Sequence, residues 1–280
     1  MNAVTASAGT VGEALAAASD ALTAAGVDTP RLDAELLLAN AIGADRARLF
    51  AAPDAAVTAP AARAFGATVR RRVAREPVAY ILGRKGFRRI ELAVDSRVLI
   101  PRPETELLVD VAAELQPARV LDVGTGSGAV ALAVADELPG ADVVATDTST
   151  GALDVARANA ARLGLGDRVS FEAGTVPEGA AFDLVLANLP YVSEAELAAL
   201  APEITRYEPR EALVAGPTGL EAIGALLEEL GSGTVQADAV ALEVGMGQAM
   251  KVGELLRGAG FAQVETRPDL VGIERVVLGR

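Results

Sequence analysis

Val120-Leu121-Asp122-Val123-Gly124-Thr125-Gly126-Ser127-Gly128 is the stretch on which the fold turns. Its first four residues read as a short buried strand, and Ala129 to Leu138 after it carries a helical pattern. A glycine-rich turn between strand and helix brings backbone N–H groups and a helix N-terminus up against a ligand. The next apolar run, Ala141 to Thr146, ends in Asp147. That acid lies roughly twenty residues beyond Gly124, where a carboxylate can bind both hydroxyls of a ribose. The spacing is G-x-G-x-G, not the G-x-G-x-x-G of pyrophosphate binders, and nothing in it demands a diphosphate.

Working outward, strands are expected near 119–123, 141–146, 168–172, 182–187, 239–244, 261–266 and 272–278. Helices are expected over 104–115, 150–163, 218–230 and 247–259. This alternation predicts an α/β fold with a doubly wound, mainly parallel sheet. The link around Asp269-Leu270-Val271-Gly272 is too short for a parallel crossover, so the last two strands form an antiparallel hairpin. Before residue 100 the pattern is helical. Thr10 with Glu13 resembles a capping box, and Thr29 with Pro30 opens a second helix. A short helix near Asp45 and a longer one from Pro60 to Arg75 complete a small bundle. Tyr80 to Leu99 turns strand-like, with Gly83 and Gly86 marking turns, and reads as a connecting β-hairpin.

The apolar run Phe182 to Ala187 ends in Asn188-Leu189-Pro190-Tyr191. In open α/β sheets, ligands bind at the carboxyl ends of strands. An Asn there can offer its oxygen to an incoming –NH2 group. Proline restricts the residue before it to extended geometry, so Leu189 points its carbonyl in a fixed direction. Two acceptors and a ring suit a planar amide or amino group presented edge-on.

Composition narrows the chemistry. The 280 residues include no Cys, no His and no Trp. Ser-His and Cys-His nucleophilic mechanisms are excluded, as are the usual zinc sites, so no metal is expected. Transfer of an activated group from a cofactor needs neither imidazole nor thiol. The N-terminus lacks the marks of a signal peptide, and no membrane span is expected. The net charge of −13 argues against a dedicated nucleic-acid binder. From Arg63 to Arg102, however, 11 basic residues meet 3 acidic ones. That segment reads either as a solvated helix face or as a docking surface for an acidic protein or phosphates.

Taken together, these residues resemble one family: the methyltransferases that use S-adenosylmethionine to methylate a glutamine in peptide chain release factors. The parts that carry the resemblance are Glu76 to Gly83, Leu99 to Glu106 (Leu-Ile-Pro-Arg-Pro-Glu-Thr-Glu), Leu121 to Gly128, Asn188 to Tyr191 and Asp269 to Arg280. The Ile-Pro-Arg-Pro-Glu-Thr-Glu element is the most family-specific; the Asn-Pro-Pro-Tyr type of turn is shared with nucleic-acid adenine methyltransferases.

The resemblance implies a Rossmann-like, seven-stranded class I methyltransferase sheet over 100–280. It adds a helical substrate-docking domain over 1–78 and a β-hairpin linker over 79–99. It implies that Gly124, Thr125, Gly126, Ser127 and Gly128 wrap the methionine part of the cofactor, that Asp147 holds its ribose, and that Asn188 borders both ligands. Asn188, Leu189, Pro190 and Tyr191 are the expected binders of the target glutamine, in a Gly-Gly-Gln motif, with Asn188, Pro190 and Tyr191 as catalytic residues. The protein is expected to be a cytoplasmic monomer with no stable nucleic-acid partner. Two departures stand out: Leu189 replaces the usual first proline, and Gly174-Thr175-Val176 replaces an acid and aromatic that meet adenine, so no adenine contact is assigned. The alternatives are an N6-adenine-type nucleic-acid methyltransferase and a non-catalytic S-adenosylmethionine-binding adaptor.

Overall fold

Seven strands make one mixed sheet in the computed structural model, which describes residues 7–280. They are β1 Arg119–Val123, β2 Asp142–Asp147, β3 Val169–Ala173, β4 Ala181–Ala187, β5 Gln236–Glu243, β6 Val264–Pro268 and β7 Glu274–Gly279. Across the sheet the order is β6-β7-β5-β4-β1-β2-β3. β1 to β5 run parallel, and β7 lies antiparallel between β5 and β6. This is the doubly wound sheet expected from the alternating pattern.

The order itself places the site. After β1 the chain winds outward through β2 and β3, then returns to lay β4 on the other side of β1. The resulting switch point opens a crevice at the carboxyl ends of these strands. Val123 pairs with Ala187 on one side and Thr146 on the other. The residues that follow, Gly124, Asn188 and Asp147, are therefore brought to one end of the sheet by register alone.

Burial explains the strand sequences. Leu121, Leu184, Val185 and Leu186 are fully buried, as central parallel strands covered on both faces must be. The helix Ala129–Glu137 after the glycine turn is buried along its whole length from Ala129 to Ala135. Four of those seven residues are alanines, whose small side chains let the helix lie close to the sheet.

Two compact units stand out, one ending at Gly83 and taking in Ala201–Tyr207, the other comprising Arg84–Leu200 and Glu208–Arg280. The hairpin, Arg84–Phe87 with Ile90–Ala93, belongs to the second unit. Fully buried Asn159 fastens it: its side chain bonds Ala93 N and O (2.7 and 3.0 Å) and the Ser127 carbonyl of the glycine turn (2.9 Å). Two expectations are corrected here. Tyr80–Leu82 belong to a helical turn, Val78–Leu82, not to a strand. Gly86 is a paired strand residue opposite Glu91, and the chain reverses at Arg88, whose φ is 50°.

The first unit contains helices Val11–Ala24, Pro30–Ile42, Arg46–Ala51, Ala59–Val73 and Val78–Leu82 around a core that includes Leu15, Leu22, Leu37, Leu38 and Phe65. The Thr10–Glu13 capping box is present, and Pro30 occupies the first turn of its helix. A two-stranded ribbon, Ser7–Thr10 with Ala56–Thr58, was not expected from sequence.

The basic segment is largely neutralised in place. Arg71, Arg72, Arg75, Arg84, Arg88, Arg89, Arg97 and Arg102 all make ion pairs with acids. Arg72 is buried between Asp33 and Glu203. Eight of the 11 basic residues of 63–102 thus have an acid as partner.

Candidate active site

Backbone hydrogen bonds fold the glycine turn. Gly124 N and Thr125 N both donate to Thr146 O at 2.9 Å, tying the turn to the end of β2. Buried Asp122 supports it from beneath, accepting from Thr125 Oγ1 (2.6 Å) and Ala131 N (3.1 Å) on one oxygen. Burial pushes the Asp122 carboxyl up to about 6, against the pull of those two bonds, and the charge of Asp147 adds to the rise. Asp147 accepts from Gly126 N (2.9 Å) on one oxygen and Ser149 N (2.8 Å) on the other.

Gly124 has φ +73°, and a Cβ there would lie 3.0 Å from Leu189 Cδ2. That contact is how closely the glycine turn and the Asn188 turn approach one another.

Together they line one cleft. Of the residues anticipated for the site, Gly124, Thr125, Gly126, Ser127, Asp147, Asn188, Leu189 and Pro190 line it. Gly174 and Thr175 close one side, where no adenine contact was assigned. Two anticipated residues stand back from it. Gly128, with φ +83°, begins the buried helix, and a Cβ there would meet Leu132 Cδ1 at 2.9 Å, so its task is packing. Tyr191 lies behind the turn, with its hydroxyl 3.4 Å from Glu243 Oε1. Burial, then the neighbouring Glu243 charge, push its phenol up to about 12, which keeps it a neutral donor.

The carboxamide of Asn188 is oriented. Its Nδ2 donates to buried Thr105 Oγ1 at 3.0 Å, and among the described residues no donor reaches its Oδ1. Thr105 closes the 3-10 turn Pro103–Thr105 ahead of the helix Glu106–Leu115. Arg102 beside it pairs with buried Glu208 at 2.5 Å, whose other oxygen accepts from Ile100 N at 3.1 Å. Glu106 accepts from Arg88 N at 3.0 Å.

Thr105, Glu243, Gln248 and Gly219 carried no assigned role in the sequence. Gln248 Nε2 donates to Tyr191 O at 2.9 Å while its Oε1 accepts from Gly245 N at 2.9 Å, pinning the backbone after Pro190. Gly219, with φ +79°, passes so close that a Cβ would sit 2.5 Å from Tyr191 O and 3.0 Å from Gln248 Nε2. Gly219→Ala is therefore expected to cost about 2 kcal/mol from left-handed backbone strain and displacement of that carbonyl. Thermal unfolding checks the loss; an unchanged Tm would mean the two turns give way freely.

The seven-stranded sheet and a switch-point cleft bordered by a glycine turn, an acid and Asn188 define a class I, Rossmann-like methyltransferase. Solved structures agree on the fold: the hMettl16 catalytic domain in complex with a MAT2A 3'UTR hairpin superposes with TM-score 0.53 at 17% identity, over 67% of this chain and 75% of that one. A family model described as the PrmC N-terminal domain matches residues 13–83, and one described as a methyltransferase domain matches 120–207. Proteins named release factor glutamine methyltransferase are similar along nearly the whole length. That of Caulobacter vibrioides is 40% identical over 96% of both chains, and that of Cereibacter sphaeroides 41% identical over 96% of this chain and 97% of its own. This chain belongs to the release factor glutamine methyltransferase family.

The site fits S-adenosylmethionine, the methyl donor of that family. Each Asp147 oxygen holds one backbone N–H and retains acceptor capacity for a ribose hydroxyl. A Cβ built at Gly126 meets nothing within 4 Å, so the backbone of the turn is open to close approach. Among the described residues, no cluster of acids could hold a metal ion, and no helix is long and apolar enough to cross a membrane.

Proposed function

We infer that this chain transfers a methyl group from S-adenosylmethionine to the side-chain amide nitrogen of a glutamine in peptide chain release factors, in a Gly-Gly-Gln motif, acting as a cytoplasmic monomer. The observation that carries the reading is the committed Nδ2 of Asn188, which leaves Oδ1 as an acceptor bordering the cleft. S-adenosylmethionine supplies an electrophilic methyl on a positive sulfur, so the protein need not activate a leaving group.

The protein's contribution is position. Gly124 to Ser127 and Asp147 hold the donor. Asn188 Oδ1 and the Leu189 carbonyl each accept one N–H of the substrate amide. Held in that way, the nitrogen keeps its lone pair free to react, and the positive charge that forms on it faces two oxygen dipoles. The methylated nitrogen is acidic and gives its proton to water. Pro190 stiffens the turn, and Tyr191 backs it. A glutamate in the target position offers no N–H to these acceptors, and leaving buried polar groups unpaired costs about 1–3 kcal/mol each.

Transfer of tritiated methyl groups tests the reading. Label is expected in a release factor and absent from its Gln→Glu variant and from DNA or RNA; label in nucleic acid with an unmodified factor overturns it. Docking of the factor by the helical unit predicts a higher KM for a short peptide bearing the motif than for the whole factor. Equal KM values remove that role from the unit.

A further inference from the structure

Behind Asn188 lies a buried acid that the mechanism above does not use. Glu243, the last residue of β5, is 2% exposed, and among the described residues no cation makes an ion pair with it. Its Oε1 faces the Tyr191 hydroxyl, and its Oε2 is buried with no hydrogen-bond partner. Leaving a carboxylate oxygen in that state costs stability, so its presence calls for another explanation. The Thr105 hydroxyl, whose oxygen already accepts from Asn188 Nδ2, lies close enough to the Glu243 carboxyl to pull against its burial. A hydroxyl has one proton to donate. With its oxygen engaged by Asn188, that proton is free for the carboxylate.

We propose that Thr105 and Glu243 are positioning residues that decide which end of the Asn188 carboxamide faces the substrate amide. The proposal rests on the reading of Asn188 as an acceptor for that amide. An ionised Glu243 can only accept. The Thr105 proton then turns to Glu243, Thr105 offers a lone pair to Asn188 Nδ2, and Oδ1 is presented to the cleft. When Glu243 takes up a proton from solvent, it becomes a donor to Thr105. The Thr105 proton then turns toward Asn188, which meets it with oxygen and presents its NH2 to the cleft. An NH2 there opposes the N–H groups of a glutamine, so the protonated form is the inactive one.

The groups around Glu243 set where this change falls. Burial is the largest influence and raises its pKa to about 7; the Glu104 charge adds to the rise. The Thr105 hydroxyl, the Arg275 charge and the Tyr191 hydroxyl pull the other way. Because the folded value lies above the unfolded one, stability falls as pH rises from about 4.5 to about 7. Above that range the buried charge is a standing cost. Removing it is expected to stabilise the fold while harming turnover, the opposite of what a purely structural acid would do.

The test compares wild type, Glu243→Gln, Thr105→Val and Thr105→Ser with whole release factor as substrate. It measures kcat from pH 5.5 to 9, the S-adenosylmethionine Kd and Tm. Wild-type kcat is expected to fall about tenfold per pH unit below the Glu243 pKa. Glu243→Gln, which cannot ionise and places an NH2 donor beside Thr105 at every pH, is expected to lose the acid limb and to run about 10–100-fold slower at pH 8. Its cofactor Kd is expected to stay unchanged and its Tm at pH 8 to be equal or higher. Thr105→Val is expected to match that loss, and Thr105→Ser to restore activity.

Wild-type kcat and pH profile in Glu243→Gln would overturn the proposal. So would a fall in kcat matched by lost Tm and lost cofactor binding. Asn188→Ala separates the two levels of inference: full activity in that variant sinks the acceptor reading itself, whereas an inactive Asn188→Ala beside a fully active Glu243→Gln sinks only the positioning role.

Discussion

Asn188→Ala is expected to lower kcat for the release-factor glutamine about 100-fold or more while leaving S-adenosylmethionine affinity nearly intact. In the proposed mechanism, alanine removes a side-chain acceptor that borders the cleft, and with it one of the two contacts to the substrate –NH2. Losing one preorganised dipole aimed at developing charge typically costs 10²–10³ in kcat, or about 2.7–4 kcal/mol. The effect falls on kcat because the positive charge on nitrogen exists only in the transition state. Cofactor binding is spared because the glycine turn and Asp147 are held by Thr146, Asp122 and Ser149, none of which depends on the Asn188 side chain. Single-turnover rates and calorimetry separate the two quantities. An equal loss in both would make Asn188 a cofactor ligand and not a substrate clamp. Asn188→Asp is the sharper companion, since it keeps an oxygen but cannot donate to Thr105 when ionised. It is expected to be as impaired as alanine.

The sequence made the glycine turn, Asp147 and the Asn188 turn legible because each is a local pattern: an apolar run, then a residue type that the run's end demands. Register did the rest, since Val123 pairs with both Thr146 and Ala187. Thr105 and Glu243 were opaque for the opposite reason. Thr105 meets Asn188 across 83 residues and Glu243 meets Tyr191 across 52, and no periodicity announces a side-chain contact at such separation. Tyr80–Leu82, expected as strand, end a helical turn; the apolar run Val78–Leu82 fits either a strand or a helical turn. The deciding feature is Gly83 at φ +70°, a left-handed helix cap that also looks like an ordinary turn. Neither reading of the basic segment, solvated helix face or docking surface, anticipated that Arg72 is buried, because its acid partner Asp33 lies 39 positions away.

Arg72→Met is expected to destabilise the helical unit by about 3 kcal/mol. Arg72 donates through Nε to Asp33 at 2.7 Å and pairs through Nη2 with Glu203 at 2.8 Å, with only 7% of its own side chain exposed. Methionine fills much of the volume but leaves two acids without their shared cation. The loss sits at the low end of the range for broken buried pairs because each acid keeps one partner. Thr29 Oγ1 still donates to Asp33 at 2.9 Å, and Arg75 still meets Glu203 at 2.7 Å. Burial works against ionisation of Glu203, but hydrogen bonds from Arg75 and Arg72 outweigh it and hold its carboxyl below the usual range.

Its folded value being the lower one, the stability it contributes is complete above about pH 4.5 and lost as pH falls through that folded value. In Arg72→Met the loss is expected to begin at higher pH, since the Arg72 hydrogen bond and charge that help lower the carboxyl are gone. Adding Asp33→Leu removes the second buried charge and is expected to recover part of the stability, because an apolar replacement of a whole buried pair is often neutral. Urea unfolding followed by helical circular dichroism at pH 7 and pH 5 measures all three effects. A change below about 0.5 kcal/mol, the scale of an ordinary surface substitution, would show that Asp33 and Glu203 reach solvent once Arg72 is gone. The segment Ala201–Tyr207 would then rest on the Arg75–Glu203 pair and on the Tyr207 hydroxyl, which donates to Ala74 O at 2.8 Å.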